Sequence, residues 1–109
     1  DMIALVVAQK YKTLKTQGNH NNEIGMPQTL FGLDSSYEAA VIEMGMSHQG
    51  EISRMSMSCQ PDVAAITNIG ISHIENLGTQ ENILKAKLEI LDGAAYDAPL
   101  ILCRDAVTF

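Results

Sequence analysis

A chain of 109 residues, 46% hydrophobic and 18% charged, sits in the single-domain range of soluble globular proteins and carries enough apolar side chains for a real core. Its formal charge of −6 argues against broad binding to nucleic acid or an anionic membrane surface, so any phosphate must be held locally, by backbone amides, single lysines or a metal. No segment approaches the roughly 20 apolar residues of a membrane span, and no basic stretch followed by an apolar one opens the chain, so the expected compartment is the cytoplasm.

Asp1 to Lys10 reads as a helix already under way, with only Asp1 to cap it, as though cut from something longer. A short strand is predicted around Thr13 to Thr16, followed by the polar loop Gln17 to Glu23. Pro27 suits the first turn of a short helix running through Leu33. Glu38 to Gly45 is an apolar run interrupted by a single carboxylate, Glu43, and closed by glycine, the pattern of a strand buried on both faces. Glu51 to Cys59 predicts a helix with Ile52, Met55 and Cys59 on one side, stopping before Pro61. Val63 to Gly70 repeats the grammar of the earlier strand, with Asn68 near its end. A loop bearing His73, Glu75 and Asn76 leads into a helix from about Thr79 to Leu91, and Pro99 to Cys103 fits a further buried strand.

Alternating helices and apolar strands predict an α/β fold of three layers, a parallel sheet with helices on both faces. In such sheets ligands bind beyond the carboxyl ends of the strands, which is where Asn19 to Asn22, Glu43, Asn68 and His73 all fall. The two cysteines, Cys59 and Cys103, have no CxxC spacing, so neither a zinc site nor a disulfide framework is indicated; both are expected to be reduced core residues. Met44, Met46, Met55 and Met57 suggest a pliable core or interface.

Lys87 stands out. At about 100° per residue, Ile83, Leu84, Leu88, Ile90 and Leu91 fan across one helix face with Lys87 pointing into its middle, while Lys85 and Glu89 point away. A buried ammonium needs a partner or a changed charge, which leaves three readings: a stem that snorkels to water, a buried ion pair, or a lysine carrying a carbamate. Glu43, late in an apolar strand, is either a ligand for a hard cation such as Mg²⁺ or a carboxylate that caps a helix or pairs with a lysine. His73 is a loop histidine that serves as a ligand or stays solvated, and His20 and His48 are weaker candidates. The Asn19-His20-Asn21-Asn22 cluster suits either reading of polar groups on a substrate or turn and cap chemistry.

The runs Thr16-Gln17-Gly18-Asn19-His20-Asn21-Asn22-Glu23-Ile24-Gly25-Met26-Pro27, Val41-Ile42-Glu43-Met44-Gly45-Met46-Ser47-His48-Gln49-Gly50-Glu51-Ile52, Thr67-Asn68-Ile69-Gly70-Ile71-Ser72-His73 and Lys85-Ala86-Lys87, in that order, resemble the central domain of the Mur ligases, a P-loop-NTPase-like fold. Within that family they look most like the branch that adds D-alanyl-D-alanine to UDP-N-acetylmuramoyl-tripeptide in peptidoglycan synthesis. The resemblance implies ATP and Mg²⁺ as cofactors and an amide-forming reaction through an acyl phosphate. It implies Glu43 and His73 as magnesium ligands, Lys87 as a carbamylated catalytic lysine, Thr16, Asn19, Asn21 and Asn22 as a wall of the muramoyl-peptide site, and Asn68 beside the cofactor.

The family's glycine-rich phosphate loop, ending in Gly-Lys-Thr or Gly-Lys-Ser, is absent from these 109 residues. Residues 1–109 are therefore expected to be a fragment of the central domain that does not turn over ATP alone, with an uncovered sheet edge that invites self-association. Rival readings are another amino-acid-adding Mur ligase or a folylpolyglutamate synthase, disfavoured by the Asn-x-Asn-Asn-Glu-x-Gly-x-Pro run. A non-catalytic α/β remnant kept for binding or assembly is disfavoured because a scaffold has no reason to keep a costly buried lysine.

Overall fold

The computed structural model describes residues 2–18, 20–68 and 77–103. Helices and parallel strands alternate: α1 (Met2–Val7), β1 (Thr13–Lys15), α2 (Gly25–Leu30), β2 (Ala39–Val41), α3 (Glu51–Cys59), β3 (Ala64–Ile66), α4 (Gln80–Leu88), a 3-10 helix (Glu89–Leu91) and β4 (Leu100–Leu102). The chain divides into two compact units, residues 1–45 and 46–109. Each contains one parallel strand pair joined by a helical crossover, since parallel neighbours cannot be linked by a tight turn.

In the first unit β1 pairs with β2, with Thr13 opposite Ala39 and Lys15 opposite Val41, and α2 lies on the connection. Met26 and Ala4 supply its buried apolar positions. Asn22 sets the start of α2, its Oδ1 accepting the amides of Ile24 and Gly25 at 3.1 and 2.7 Å. Gly25 is required sterically, because a Cβ there would lie 2.6 Å from the His20 backbone.

In the second unit β3 pairs with β4, Ala64 opposite Leu100 and Ile66 opposite Leu102, with α4 and the 3-10 helix in the crossover. Ile52, Met55, Ala64, Ile66, Ile83 and Ala86 form the core, and fully burying an Ile or Met side chain contributes about 1.5–3 kcal/mol. Thr79 caps α4 by accepting the Asn82 amide, while α3 ends on Gln60 in the left-handed region just before Pro61. The tightest seam joins α3 to the 3-10 helix. The fully buried Ser56 hydroxyl donates to the Ile90 carbonyl and accepts the Gly93 amide at 2.9 Å.

Several expectations change. The strands are three residues long, and only β3 is buried on alternate positions; β2 is half-exposed, and Ile101 and Leu102 of β4 are 60% and 41% exposed. The α/β architecture itself is as expected, helices alternating with parallel strand pairs. Cys103 is exposed and Cys59 only half-buried, so neither is a core cysteine, although both are free thiols. Burial first, and the Asp62 carboxylate second, push the Cys59 thiol up, which makes it a poor nucleophile.

A methyl group on Gly93 would lie 2.0 Å from the Ser56 carbonyl oxygen and 2.6 Å from the Met57 nitrogen, backbone atoms that cannot step aside without opening the α3 seam. Gly93→Ala is expected to cost about 3 kcal/mol, the upper end of overpacking, in denaturant unfolding of the purified protein. A loss below about 0.5 kcal/mol would show that the seam is loose.

Candidate functional site

Parallel pairing sends the residues after β1 and β2 off the same edge of the first sheet, and there a small polar cluster forms. The Thr16 amide donates to the Val41 carbonyl at 3.2 Å, and the largely buried Thr16 hydroxyl accepts the Glu43 amide at 2.8 Å. Asn21 approaches from the loop: its Nδ2 donates to Glu43 Oε1 at 3.3 Å, and its carbonyl accepts the Gly45 amide at 2.6 Å. Gly45 admits this approach, since a Cβ there would meet the Asn21 side chain at 3.0 Å. Thr16 and Asn21 thus hold both the backbone and the side chain of Glu43.

Glu43 lies past the end of β2 and is exposed. The expectation that it sits within a strand buried on both faces is overturned, because the strand ends at Val41 and water reaches the carboxylate. What the geometry leaves is a presented oxygen donor aimed by Asn21, the type of ligand a hard divalent ion takes. Asn22, by contrast, spends its side-chain oxygen on the start of α2, as turn chemistry requires. His20 is exposed, and His48, 66% exposed, pairs with Glu51 at 3.3 Å at the start of α3.

The second unit holds Lys87. Its Nζ donates to the Asn68 carbonyl at 2.6 Å, just beyond the end of β3. The side chain is half-buried, and the face of α4 that packs inward is centred on Ile83 and Ala86, so Lys87 flanks the buried stripe instead of piercing its middle. Two of the three readings made from the helix projection meet this contact differently: no carboxylate faces the amine in the described hydrogen-bond and ion-pair network, whereas a stem reaching out to a carbonyl at the sheet edge fits snorkelling. Burial pulls the Lys87 pKa down from 10.5.

Glu89 was expected to point to solvent. It is half-buried, and its carboxylate accepts the Gly50 amide through both oxygens at 3.0 Å and the Ser53 amide at 3.2 Å. The available signal was the glycine preceding Glu51, which leaves the first turn of α3 without a side-chain cap. His73 and Asn19 lie outside the described residues. Among those described, no group of three or more His, Cys, Asp or Glu side chains could hold a metal ion, and no helix is long and apolar enough to cross a membrane.

The family model of the Mur ligase middle domain matches residues 1–109, and the chain belongs to that family. Its curated relatives include the UDP-N-acetylmuramoyl-tripeptide–D-alanyl-D-alanine ligase of Bacillus subtilis (strain 168), 49% identical over 96% of this chain and 23% of that protein. The enzyme of the same name from Escherichia coli (strain K12) is 39% identical over the same shares. Among solved structures, MurF from Acinetobacter baumannii superimposes with a TM-score of 0.87 at 38% identity, over 93% of this chain and 22% of that one. MurF ligase from Thermotoga maritima in complex with ADP gives 0.81 at 33% identity, over 91% and 23%. The chain therefore spans about a quarter of the length of the proteins it matches.

Because the folded-state pKa of Lys87 is depressed, its contribution to stability is fully present above 10.5 and is lost as pH falls through the folded value. Competitive acetylation of the native protein, read by peptide mass spectrometry, is expected to give Lys87 a titration midpoint below 10.5 that returns toward 10.5 in urea. A native midpoint at or above the unfolded one would contradict the half-buried placement.

Proposed function

We propose that residues 1–109 are part of the central domain of a ligase that joins D-alanyl-D-alanine to UDP-N-acetylmuramoyl-tripeptide at the expense of ATP, in the cytoplasmic stage of peptidoglycan synthesis. The observation that carries this reading is the 49% identity to the Bacillus subtilis ligase across 96% of the chain. The Asn21–Glu43 and Lys87–Asn68 contacts support it, because they hold two of the expected site residues beyond strand ends, where ligands of parallel sheets bind.

In that reaction the terminal carboxylate of the tripeptide attacks the γ-phosphorus of ATP and ADP leaves. The amine of D-alanyl-D-alanine then attacks the acyl carbon, the C–N bond forms, inorganic phosphate departs and the amine loses a proton. Mg²⁺ bound with the nucleotide supplies electrostatic stabilisation of the charge that builds on the transferring phosphoryl oxygens. By the family resemblance, Glu43, His73 and Lys87 are the residues that would hold it. The donor set fits a hard ion in its carboxylate, and Lys87 joins it only as a carbamate, since an ammonium repels a cation.

The depressed pKa of Lys87 favours that modification. The ammonium first gives up a proton; the neutral amine then attacks CO₂, the N–C bond forms and a second proton is released, so a cationic side chain becomes an anionic oxygen donor. Thr16 and Asn21 serve first to aim Glu43, and the family resemblance assigns Thr16, Asn19, Asn21 and Asn22 to contacts with the muramoyl peptide. The resemblance assigns Asn68 to the cofactor, and its carbonyl tethers Lys87 before modification.

The test uses the parent protein with ATP, Mg²⁺, UDP-N-acetylmuramoyl-tripeptide and D-alanyl-D-alanine. Ligation is expected, with Glu43→Ala and Lys87→Ala each lowering kcat at least about 100-fold, the order for losing one electrostatic stabiliser in a closed site. Failure to ligate D-alanyl-D-alanine while coupling a single amino acid would move the protein to another branch of the family. No ligation with any acceptor would favour a binding or assembly role.

A further inference from the structure

The first turn of α3 has no cap of its own. A helix start is ordinarily satisfied by a Ser, Thr, Asp or Asn side chain that accepts the third helical amide, with a Glu at that third position reaching back to the N-cap amide. Here the N-cap is Gly50 at φ +91°, in the left-handed region, and a Cβ would come 3.2 Å from Arg54 Nη1, so a capping side chain at this position is strained. Glu51 does not substitute, since its carboxylate turns back to the amides of Ser47 and His48.

One carboxylate from 39 positions along the chain fills both roles. Glu89 accepts the N-cap amide of Gly50 and the third helical amide of Ser53. It does so from the residue that ends α4, two positions after Lys87, in the 3-10 helix that Ser56 already ties to α3 through the Ile90 carbonyl and the Gly93 amide. Capping from Glu89 makes the start of α3 and the last turn of the lysine helix a single mechanical piece.

We propose that Glu89 is a positioning residue for Lys87: its clamp on the Gly50 and Ser53 amides fixes the last turn of α4, so that the Lys87 amine is held at the Asn68 carbonyl beyond β3. This rests on the reading of Lys87 as a site residue. The Nζ contact is the far tether of a flexible four-carbon stem, and the clamp two residues on sets where that stem begins. Glu89 touches no substrate and acts only through Lys87.

The experiment compares Glu89→Ala, Glu89→Gln and Ser56→Ala in the parent protein, by steady-state ligation kinetics, thermal unfolding and amide hydrogen exchange. Ser56→Ala weakens the same seam through its contacts with Ile90 and Gly93, leaving the Glu89 clamp in place. For Glu89→Ala the expected results are faster exchange at Gly50, Ser53 and through Ile83 to Leu88, and kcat lowered about 10–100-fold, the range for losing a residue that orients a ligating side chain. KM for all three substrates should stay within about threefold, because uniform binding is untouched. Glu89→Gln, which keeps one acceptor oxygen, should fall between wild type and Glu89→Ala. Ser56→Ala should lose thermal stability with kcat within about twofold of wild type, since only a stabilising contact is removed. Unchanged kcat in Glu89→Ala overturns the proposal, and so does an equal fall in kcat for Ser56→Ala at matched stability. If the wild-type parent ligates nothing, the functional reading is what fails, and unchanged exchange over Ile83 to Leu88 in Glu89→Ala then overturns the positioning role.

Discussion

Parallel strand pairing is the constraint from which the site descends. Two parallel strands leave the sheet at the same edge, and the crossover between them must be long enough to bring the chain back. In the first unit this places the segments after β1 and β2 side by side, close enough for the Thr16 hydroxyl to accept the Glu43 amide and for Asn21 to reach the Glu43 carboxylate. In the second unit the segment after β3 leaves at the edge where Lys87 finds the Asn68 carbonyl. With short antiparallel hairpins, successive strands would leave at opposite edges and their trailing polar residues would be separated.

Strands of three residues cannot hold such an arrangement alone, so precision comes from polar contacts that span long stretches of chain. Thr16 and Glu43 are 27 positions apart, and Glu89 lies 39 positions from Gly50 and 36 from Ser53. Each contact satisfies backbone amides that would otherwise be unpaired, and an orphaned buried donor costs about 1–3 kcal/mol. The same contacts that complete the backbone bonding therefore fix the Glu43 and Glu89 side chains, which links stability of these loops to their geometry.

What was legible in the sequence follows the range of the interaction that decides each feature. Helix α3 begins at Glu51 and ends at Cys59 as its apolar spacing and Pro61 dictate, and Thr79 caps α4 by a bond to Asn82 three residues on. Those are local effects. The extent of strand burial was not legible, because a continuous apolar run such as Pro99 to Cys103 says only that a residue can be buried, and whether Ile101 is covered depends on neighbours elsewhere. Lys87 was found, but its depth was overstated: the helix projection gave equal weight to every apolar residue, whereas packing buries the narrow stripe of Ile83 and Ala86 and leaves Leu84, Leu88 and Ile90 at the margin. Glu89 was missed for the opposite reason. Its partners are backbone amides, which carry no residue-specific signature, and the only local sign of them was a glycine where a capping side chain belongs.

The position of Lys87 at the margin of the core, and not at its centre, bears directly on what its amine can do. A fully buried ammonium would lose its charge outright or demand a paired carboxylate, and a carboxylate partner would raise the pKa and keep the amine protonated and unreactive. A fully exposed lysine would be protonated almost throughout the neutral range. Half-burial against a neutral carbonyl lies between these extremes: burial lowers the pKa, and the carbonyl brings no opposing charge to restore it. The Asn68 carbonyl accepts a proton that either the charged or the neutral amine can donate, so it orients the nitrogen without selecting the protonation state. Half-burial lets the four-carbon stem pack at the margin of the helix's buried stripe while the amine stays at the sheet edge.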